Sequence, residues 1–286
     1  MARLALALAL LLCLAVPSPA SAADLDVIYA RAARDIQAGK PLVVTVHVAL
    51  CDNRSLACGG GGLGNGDVPK RNLYWGGGAG LRAFFDHLGR GFRRVHVDAG
   101  DKKRVLERVV YRMRVKRPSA RWRRLGVTQP FDVYLVGLAW RGRAIGGATR
   151  AFVDEVAGVA AARALTLRSG LRLRFGSASH VVGYAGHNHM MDVLGYRFPK
   201  VKRRAAVGYF ALSCINARYL APLRAAATRA LLLTRVLMYP GAFTAYGLVR
   251  GFARAEPAKR VYQRGVFQYA RYQKRTKRLA ARFFTR

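Results

Sequence analysis

Two short apolar runs, each ending on a chemically reactive residue, constrain this chain more than any other feature. One run covers residues 179–187 and ends at His187, and the other covers residues 205–214 and ends at Cys214. Both are rich in Val, Tyr, Phe and Ala with little polar alternation, which is typical of buried strands in a parallel sheet. Ligands bind at the carboxyl ends of such strands. Neighbouring strands would bring an imidazole and a thiol to one edge, as a cysteine nucleophile and its base require.

The remaining apolar patterns predict an alternation of strands and helices. Residues 41–50 and 131–140 are apolar almost throughout and predict central strands. Residues 92–98 and 104–115 alternate, and predict an exposed, antiparallel or edge part of the sheet. Helices are predicted over residues 24–38, 79–88, 146–162, 219–233, 242–255 and 258–284. This order predicts an α/β fold with a mainly parallel central sheet flanked by helices.

Residues 1–22 predict a secretory signal peptide rather than a part of the fold. Arg3 gives a positive start, residues 4–16 form an apolar stretch too short to span a bilayer, and a small-residue cleavage pattern ends at Ala22. We expect cleavage near Ala22 and a secreted or periplasmic protein without a membrane span. Residues 23–286 contain no Pro/Ser-rich linker or internal repeat, and predict a single α/β domain with C-terminal helices.

The charge of the chain is strongly positive. There are 50 Lys and Arg residues against 14 Asp and Glu, which gives a formal net charge of +36. An Arg-rich surface of this kind predicts contact with polyanions such as nucleic acid, lipopolysaccharide, acidic polysaccharide or anionic membrane. A high-GC codon bias, which enriches Ala, Gly and Arg together, explains the same composition without a partner. The basic residues cluster only loosely, at residues 114–124, 200–204 and 271–286.

Three cysteines follow the predicted signal peptide, and an odd number in an exported protein predicts one disulfide and one free thiol. Cys51 and Cys58 could close a small ring beside the Gly-rich residues 59–66. Cys214 ends a buried strand, so it would be the free thiol. Such a thiol is either an inert small apolar group or, beside an imidazole in a positive field, a reactive one.

The residues after the first apolar run allow two kinds of site. As a general base, His187 stands at the end of its strand, and backbone N–H groups nearby could form an oxyanion hole. His180 is at the opposite end of the same strand and is excluded. As a metal site, His187, His189 and Asp192 offer three plausible zinc ligands. We predict the catalytic role, with no cofactor, and keep the zinc site as the alternative.

A strand that ends in His, followed by a second strand that ends in Ser-Cys, resembles the caspase-like cysteine peptidases (caspases, legumains and gingipains). The matching residues are His187 and Cys214, and the resemblance covers about residues 131–255. It implies a caspase-like three-layer sandwich whose parallel sheet delivers both side chains from adjacent strand ends. Two features depart from the family. Asn188 stands where the family has Gly, and Cys214 follows His187 by only 27 residues.

The resemblance implies a peptide or protein substrate beside Cys214. We assign Asn188, Asp52 and Asn53 to the oxyanion or to substrate contacts. An acidic substrate side chain would suit the abundant Arg, whereas a basic one would need an acid such as Asp52, Asp132 or Asp192. The patterns around residues 51–53, 63–66, 72–76 and 186–188 also resemble a group of uncharacterised exported bacterial proteins, which implies no activity.

The residues together predict an exported cysteine-dependent hydrolase of the peptidase type. Its Cys214–His187 dyad would cleave a peptide or another acyl bond through a thioacyl intermediate. Two alternatives remain open: a non-catalytic cationic envelope protein that binds polyanions, and a Zn-dependent hydrolase.

Overall fold

The structure is a computed structural model and describes residues 25–286, so the predicted signal peptide lies outside the described residues. The strands are β1 (Leu42–Ala49), β2 (Arg93–Asp98), β3 (Val105–Val115), β4 (Phe131–Trp140), β5 (Ala162–Thr166), β6 (Arg172–Gly176), β7 (Val181–Ala185), β8 (Val207–Leu212), β9 (Thr228–Thr234) and β10 (Phe284–Thr285). The α-helices are α1 (Asp26–Gln37), α2 (Leu81–His87), α3 (Ala120–Arg124), α4 (Ile145–Ala157), α5 (Ala242–Ala253), α6 (Ala258–Tyr272) and α7 (Lys277–Ala281).

A mixed sheet of eight strands forms the centre of the described residues, in the order β10-β9-β8-β7-β1-β4-β3-β2. The strands from β9 to β4 are parallel to one another, whereas β2, β3 and β10 pair antiparallel with their neighbours. Strands β5 and β6 form a separate hairpin. The prediction of an α/β fold with a mainly parallel central sheet is confirmed, and so is the antiparallel edge at β2 and β3.

Apolar side chains fill both faces of this sheet. One core lies between the sheet and α1, α2, α5 and α6, and contains buried aromatic residues such as Tyr29, Phe84 and Phe243. The other lies under α4 and the β5–β6 hairpin, and includes Phe152 and Tyr209. Every residue of β1, β7 and β8 is buried. Burial on both faces is why these strands read as unbroken apolar runs.

The helix predicted over residues 219–233 is wrong. Two short 3-10 turns precede a strand, β9, which runs parallel to β8 and is largely buried. The apolar stretch in this segment has strand length, and periodicity does not separate a buried strand of that size from a helix. The hydrogen bonds offered by β8 decide the conformation, because tertiary pairing overrides the intrinsic preference of Ala and Leu for helix.

Two other predicted helices are shorter than expected. Helix α4 ends before Gly158, whose φ of 75° is a left-handed conformation that glycine adopts without strain, and the residues beyond it form the unpredicted β5–β6 hairpin. The segment 258–284 divides into α6, α7 and β10, with Lys274 at a φ of 49° between the two helices. Within residues 25–286, each helix is too short or too polar to cross a bilayer.

Candidate functional site

His187 and Cys214 lie just beyond two adjacent parallel strands. Strands β7 and β8 pair with Ala185 opposite Leu212, and each candidate residue follows its member of that pair by two positions. Because the strands are parallel, both chains leave the sheet at its carboxyl edge. The structure therefore brings the imidazole-bearing and the thiol-bearing segments to the same edge, as the apolar runs predict.

Gly186 sets the path of the chain from β7 into His187. Its φ of 144° is one that side-chain-bearing residues rarely adopt, and a Cβ atom there would stand 2.8 Å from the main-chain oxygen of Ala49 on β1. The Gly186 N–H donates to the Leu212 carbonyl at 3.1 Å. The close approach to β1 and the bond to β8 hold the first residue after the strand in place.

Asn188 joins the two segments directly. Its Nδ2 donates to the main-chain carbonyl of Cys214 at 2.7 Å, and its Oδ1 accepts from the Met190 N–H at 3.2 Å. The Tyr184 hydroxyl donates to the carbonyl of His187 at 2.7 Å. Asn188 is buried, so its amide has little competition from water. The predicted contact of Asn188 with an oxyanion or substrate stays a prediction, and its observed role is to link the two strand ends.

The His187 ring is bound on one side by a carboxylate. Nε2 lies 2.8 and 3.0 Å from the two carboxylate oxygens of Asp192. The other ring nitrogen, Nδ1, makes no hydrogen bond within residues 25–286. A general base needs one nitrogen held by an orienting group and one nitrogen free, and His187 has both.

Cys214 is the free cysteine of the described residues, and it is half-buried. Its Sγ lies 3.7 Å from the main-chain oxygen of Met238. Tyr74 and Tyr269 stand close enough to interact electrostatically with the thiol, and burial raises the pKa of both phenols. Within residues 25–286, no hydrogen bond joins Sγ to the His187 ring, so the thiol rests against a carbonyl.

The three-ligand zinc alternative is not formed. His187 and Asp192 pair with each other, but Nε2 of His189 packs against Gly146 at the start of α4, where an added Cβ atom would lie 3.0 Å from it. Among residues 25–286 there is no group of three His, Cys, Asp or Glu side chains that could hold a metal ion. His189 begins a 3-10 turn, His189–Met191, whereas His187 and Asp192 lie on either side of that turn.

Asp52 and Asn53, both predicted as substrate contacts, are engaged within the loop that follows β1. The Asp52 carboxylate accepts from Nε and Nη2 of Arg54 at 2.9 and 2.7 Å, and this guanidinium holds the pKa of Asp52 below its usual range. Asn53 accepts from the Cys58 N–H at 2.9 Å. Cys51 and Cys58 form the disulfide that their spacing allows. These bonds shape the loop, and a contact with substrate stays a prediction.

Asn72 is a positioning residue to which sequence reasoning gave no role. It is fully buried, and its Oδ1 accepts from the N–H groups of Cys51 and Tyr74 at 3.0 and 3.1 Å. Its Nδ2 donates to the carbonyls of Cys51 and Asn65 at 2.7 and 3.1 Å. One amide therefore fastens the Gly-rich loop to the end of β1. The sequence feature that could have indicated this role is a single Asn directly before the apolar residues Leu-Tyr-Trp.

His47, another titratable residue on a central strand, belongs to the interior. Trp140 Nε1 donates to His47 Nδ1 at 3.1 Å, so His47 Nε2 carries the hydrogen and donates to Glu155 at 2.8 Å. Arg163 also pairs with Glu155. Burial alone would raise the pKa of Glu155, but His47 and Arg163 outweigh it and hold that pKa below its ordinary value. The network ties α4 and β5 to β1.

Comparison of the chain with protein-family models, curated proteins and solved structures finds no match. The carboxyl edge of the sheet combines a free thiol, an imidazole oriented by a carboxylate, and an amide that links the two strand ends. A thiol and an oriented imidazole are the components of nucleophilic acyl transfer.

Proposed function

We propose that this protein is a cysteine-dependent hydrolase in which Cys214 is the nucleophile and His187 the general base. One observation carries the proposal: the two residues follow adjacent parallel strands at the same position beyond the Ala185–Leu212 pair. Strand ends are rigid platforms for reactive side chains, and the loops beyond them leave room for substrate.

The reaction divides into two steps. In the first, the Cys214 thiol gives its proton to Nδ1 of His187 while sulfur attacks the acyl carbon. The acyl–nitrogen bond then breaks as His187 returns the proton to the leaving amine. In the second, water attacks the thioester with His187 again as base, which releases a carboxylic acid and restores the thiol. To begin, the thiol exchanges its contact with the Met238 carbonyl for one with His187.

Asp192 is the orienting member of this arrangement. It holds Nε2, which leaves Nδ1 as the nitrogen for proton transfer, and its negative charge stabilises the imidazolium that forms. Asp192 is about half exposed, so its contribution is smaller than that of a buried carboxylate.

The sheet topology supports the finer assignment to a caspase-like three-layer sandwich. The parallel strands lie in the order β4-β1-β7-β8-β9, and His187 follows the third of them along the chain while Cys214 follows the fourth. Adjacent strand ends that deliver His and then Cys are the feature on which the resemblance to caspase-like peptidases rests.

The Cys51–Cys58 disulfide supports export to the cell surface or periplasm. Disulfides persist in oxidising compartments and are rare in the cytosol. Together with the predicted signal peptide at residues 1–22, it favours a secreted or periplasmic enzyme.

Exposed apolar side chains near the site favour a peptide substrate. Leu194 is fully exposed in the loop after β7, and Leu237 is 65% exposed in the loop after β9. These loops follow the two strands on either side of β8, so they flank the segment that bears Cys214. Apolar side chains at such a rim are suited to the side chains of a bound peptide.

Alkylation with iodoacetamide at neutral pH tests the dyad, with the modified residue identified by peptide mass. We expect folded wild-type protein to react at Cys214 about tenfold faster than a model thiol, because His187 accepts the thiol proton as sulfur attacks. His187→Gln should remove the advantage, whereas His189→Gln, two positions away and packed against Gly146, should retain it. Reaction of Cys214 only after unfolding would contradict the proposal.

The second measurement is the hydrolysis of fluorescently labelled casein, followed by the release of labelled peptides. Cys214→Ser and His187→Gln should each abolish cleavage, and His189→Gln should not. Cleavage that survives Cys214→Ser would assign the activity to another site.

A further inference from the structure

A large groove lies on the helical layer, and neither Cys214 nor the rest of the proposed dyad lines it. It has a volume of about 1030 Å³ and runs over α6, bounded by α5 on one side and α7 on the other. Basic, amide and aromatic side chains line it, among them Arg260, Gln263, Arg264, Phe267 and Arg278.

This part of the chain is strongly basic. Residues 254–286 contain 11 Lys and Arg and a single acid, Glu256. Glu256 does not neutralise the rest of the groove, because its carboxylate already forms an ion pair with the guanidinium of Arg264. The other cations of the groove therefore face solvent without a local counter-charge, and they attract anions strongly.

Three cationic side chains of the groove, Arg260, Lys277 and Arg278, are available to an anionic ligand. Arg260 and Arg278 are exposed, and no ion pair of either is found among residues 25–286. Lys277 stands over the ring of Phe267 at 5.1 Å, so its charge also remains unneutralised. The helix rises about 1.5 Å per residue, so the α6 residues that line the groove, from Arg260 to Gln268, extend over about 12 Å. A single small anion cannot bridge that length.

We infer that the groove over α6 binds an acidic oligosaccharide segment, one that bears carboxylate or sulfate groups. Arg260, Lys277 and Arg278 would pair with its anionic groups, since a guanidinium matches the two oxygens of a carboxylate or sulfate. Gln263 and Gln268 supply neutral donors and acceptors for its hydroxyl groups.

The aromatic side chains argue against a single-stranded nucleic acid as the ligand. Binding of that kind uses a series of exposed rings on which successive bases stack. In the groove, the single hydroxyl hydrogen of Tyr262 is shared between the main-chain carbonyls of Ala281 and Phe284, and the hydroxyl of Tyr246 donates to the main-chain carbonyl of Arg90. Phe267 is the exposed ring of the groove, and Lys277 lies over it.

Fluorescence anisotropy with a labelled heparin decasaccharide, over a series of NaCl concentrations, tests the inference on the full chain. The double variant Arg260→Glu/Arg278→Glu should weaken binding about tenfold at 150 mM salt and lower the slope of log K against log salt by about two. The matched control, Arg172→Glu/Arg174→Glu, makes the same change of charge at two exposed positions of β6 and should bind like wild type.

Three results would overturn the inference: equal weakening in the control, which would indicate diffuse attraction to net charge; no binding of the decasaccharide by wild type; or tighter binding of a single-stranded DNA 20-mer than of the decasaccharide. If the double variant unfolds by circular dichroism, Arg260→Gln/Arg278→Gln tests the same contacts with a smaller change. The groove is independent of the proposed hydrolase, so Cys214→Ser should bind the decasaccharide normally.

Discussion

The side-chain amide of Asn188 donates to the main-chain carbonyl of Cys214 at 2.7 Å, across the ends of β7 and β8. This bond ties the segment that bears the imidazole to the segment that bears the thiol. Neither segment is inside the sheet at this point, so the hydrogen bonds between the strands no longer fix their separation. The amide of Asn188 is therefore a direct link between the two segments, beyond the bonds that hold Gly186 and the His187 carbonyl.

Removal of the Asn188 amide should lower the reactivity of Cys214. We expect Asn188→Ala to slow alkylation of Cys214 about tenfold or more, because small displacements of reacting groups are costly. It should also lower the free energy of unfolding by about 1–3 kcal/mol, since the Cys214 carbonyl loses its donor. Stopped-flow alkylation and urea unfolding measure the two effects.

Asn188→Asp separates the two bonds of this side chain. A carboxylate keeps an acceptor for the Met190 N–H but has no donor for Cys214. Alkylation of the Asp variant should therefore be as slow as that of the Ala variant. If Cys214 of Asn188→Asp were alkylated at the wild-type rate, the hydrogen bond from residue 188 to Cys214 would have no role in the reactivity of the thiol.

Loss of the carboxylate that orients His187 should slow the proposed acyl transfer. Asp192→Asn should reduce casein cleavage about tenfold, less than a buried triad carboxylate would, because Asp192 is partly solvated. The midpoint of thermal unfolding of this variant should differ little from that of wild type. Asp154→Asn is the matched control, since Asp154 forms a comparable exposed ion pair with Arg150 on α4. Equal losses of activity in the two variants would contradict the role of Asp192.

The Cys51–Cys58 disulfide should stabilise the protein through its closed ring. The two residues are seven positions apart, and closing a ring of this size in the unfolded chain is worth about 2–3 kcal/mol. Cys51→Ala/Cys58→Ala should lower the free energy of unfolding by that amount in urea titration. Cys214→Ala, which removes a thiol but no cross-link, should have a smaller effect. An unchanged midpoint in the double variant would mean that Asn72 and Asn53 alone hold the loop.

Burial on both faces of the sheet made much of the fold predictable. Strands such as β1, β4, β7 and β8 are covered by helices on each side, so their sequences are almost wholly apolar and stand out from the rest. Strand β9 was missed because its Ala and Leu residues suit a helix equally well, and only the neighbouring β8 decides between the two.

The strand-end positions of His187 and Cys214 were predictable for the same reason, but their partners were not. The contact of Asp192 with His187 depends on a 3-10 turn that no periodicity marks. His47 looked like any other strand residue, and its partner Glu155 lies 108 positions away on α4. Side-chain contacts between distant segments depend on the packed fold, which local patterns do not encode.

Asp35 should make stability depend on pH in the acid range. The His180 ring, 3.3 Å from its Oδ2, and Lys40, 3.1 Å from its Oδ1, hold the pKa of Asp35 well below its usual range. The unfolded chain has a pKa of about 3.9, so the stabilisation is fully present above that pH and is lost as the pH falls below it. Asp35→Asn should therefore be less stable than wild type at pH 6. In urea unfolding from pH 7 to pH 2, that difference should shrink below about pH 4. A constant difference over the range would contradict the assignment.

The buried Glu155 network should show the strongest effect of a single substitution. Glu155→Ala leaves the His47 N–H and the Arg163 guanidinium without their shared acceptor, and should cost about 3–5 kcal/mol. Glu155→Gln should cost less, because an amide oxygen still accepts from Nε2 of His47. The triple variant His47→Leu/Trp140→Phe/Glu155→Met also removes the Trp140 N–H that donates to His47. It should be more stable than Glu155→Ala, since apolar replacement of buried polar groups is often near neutral. Urea unfolding of the three variants measures this order. If Glu155→Ala and the triple variant lose the same free energy of unfolding, the cost comes from packing rather than from the unpaired polar groups.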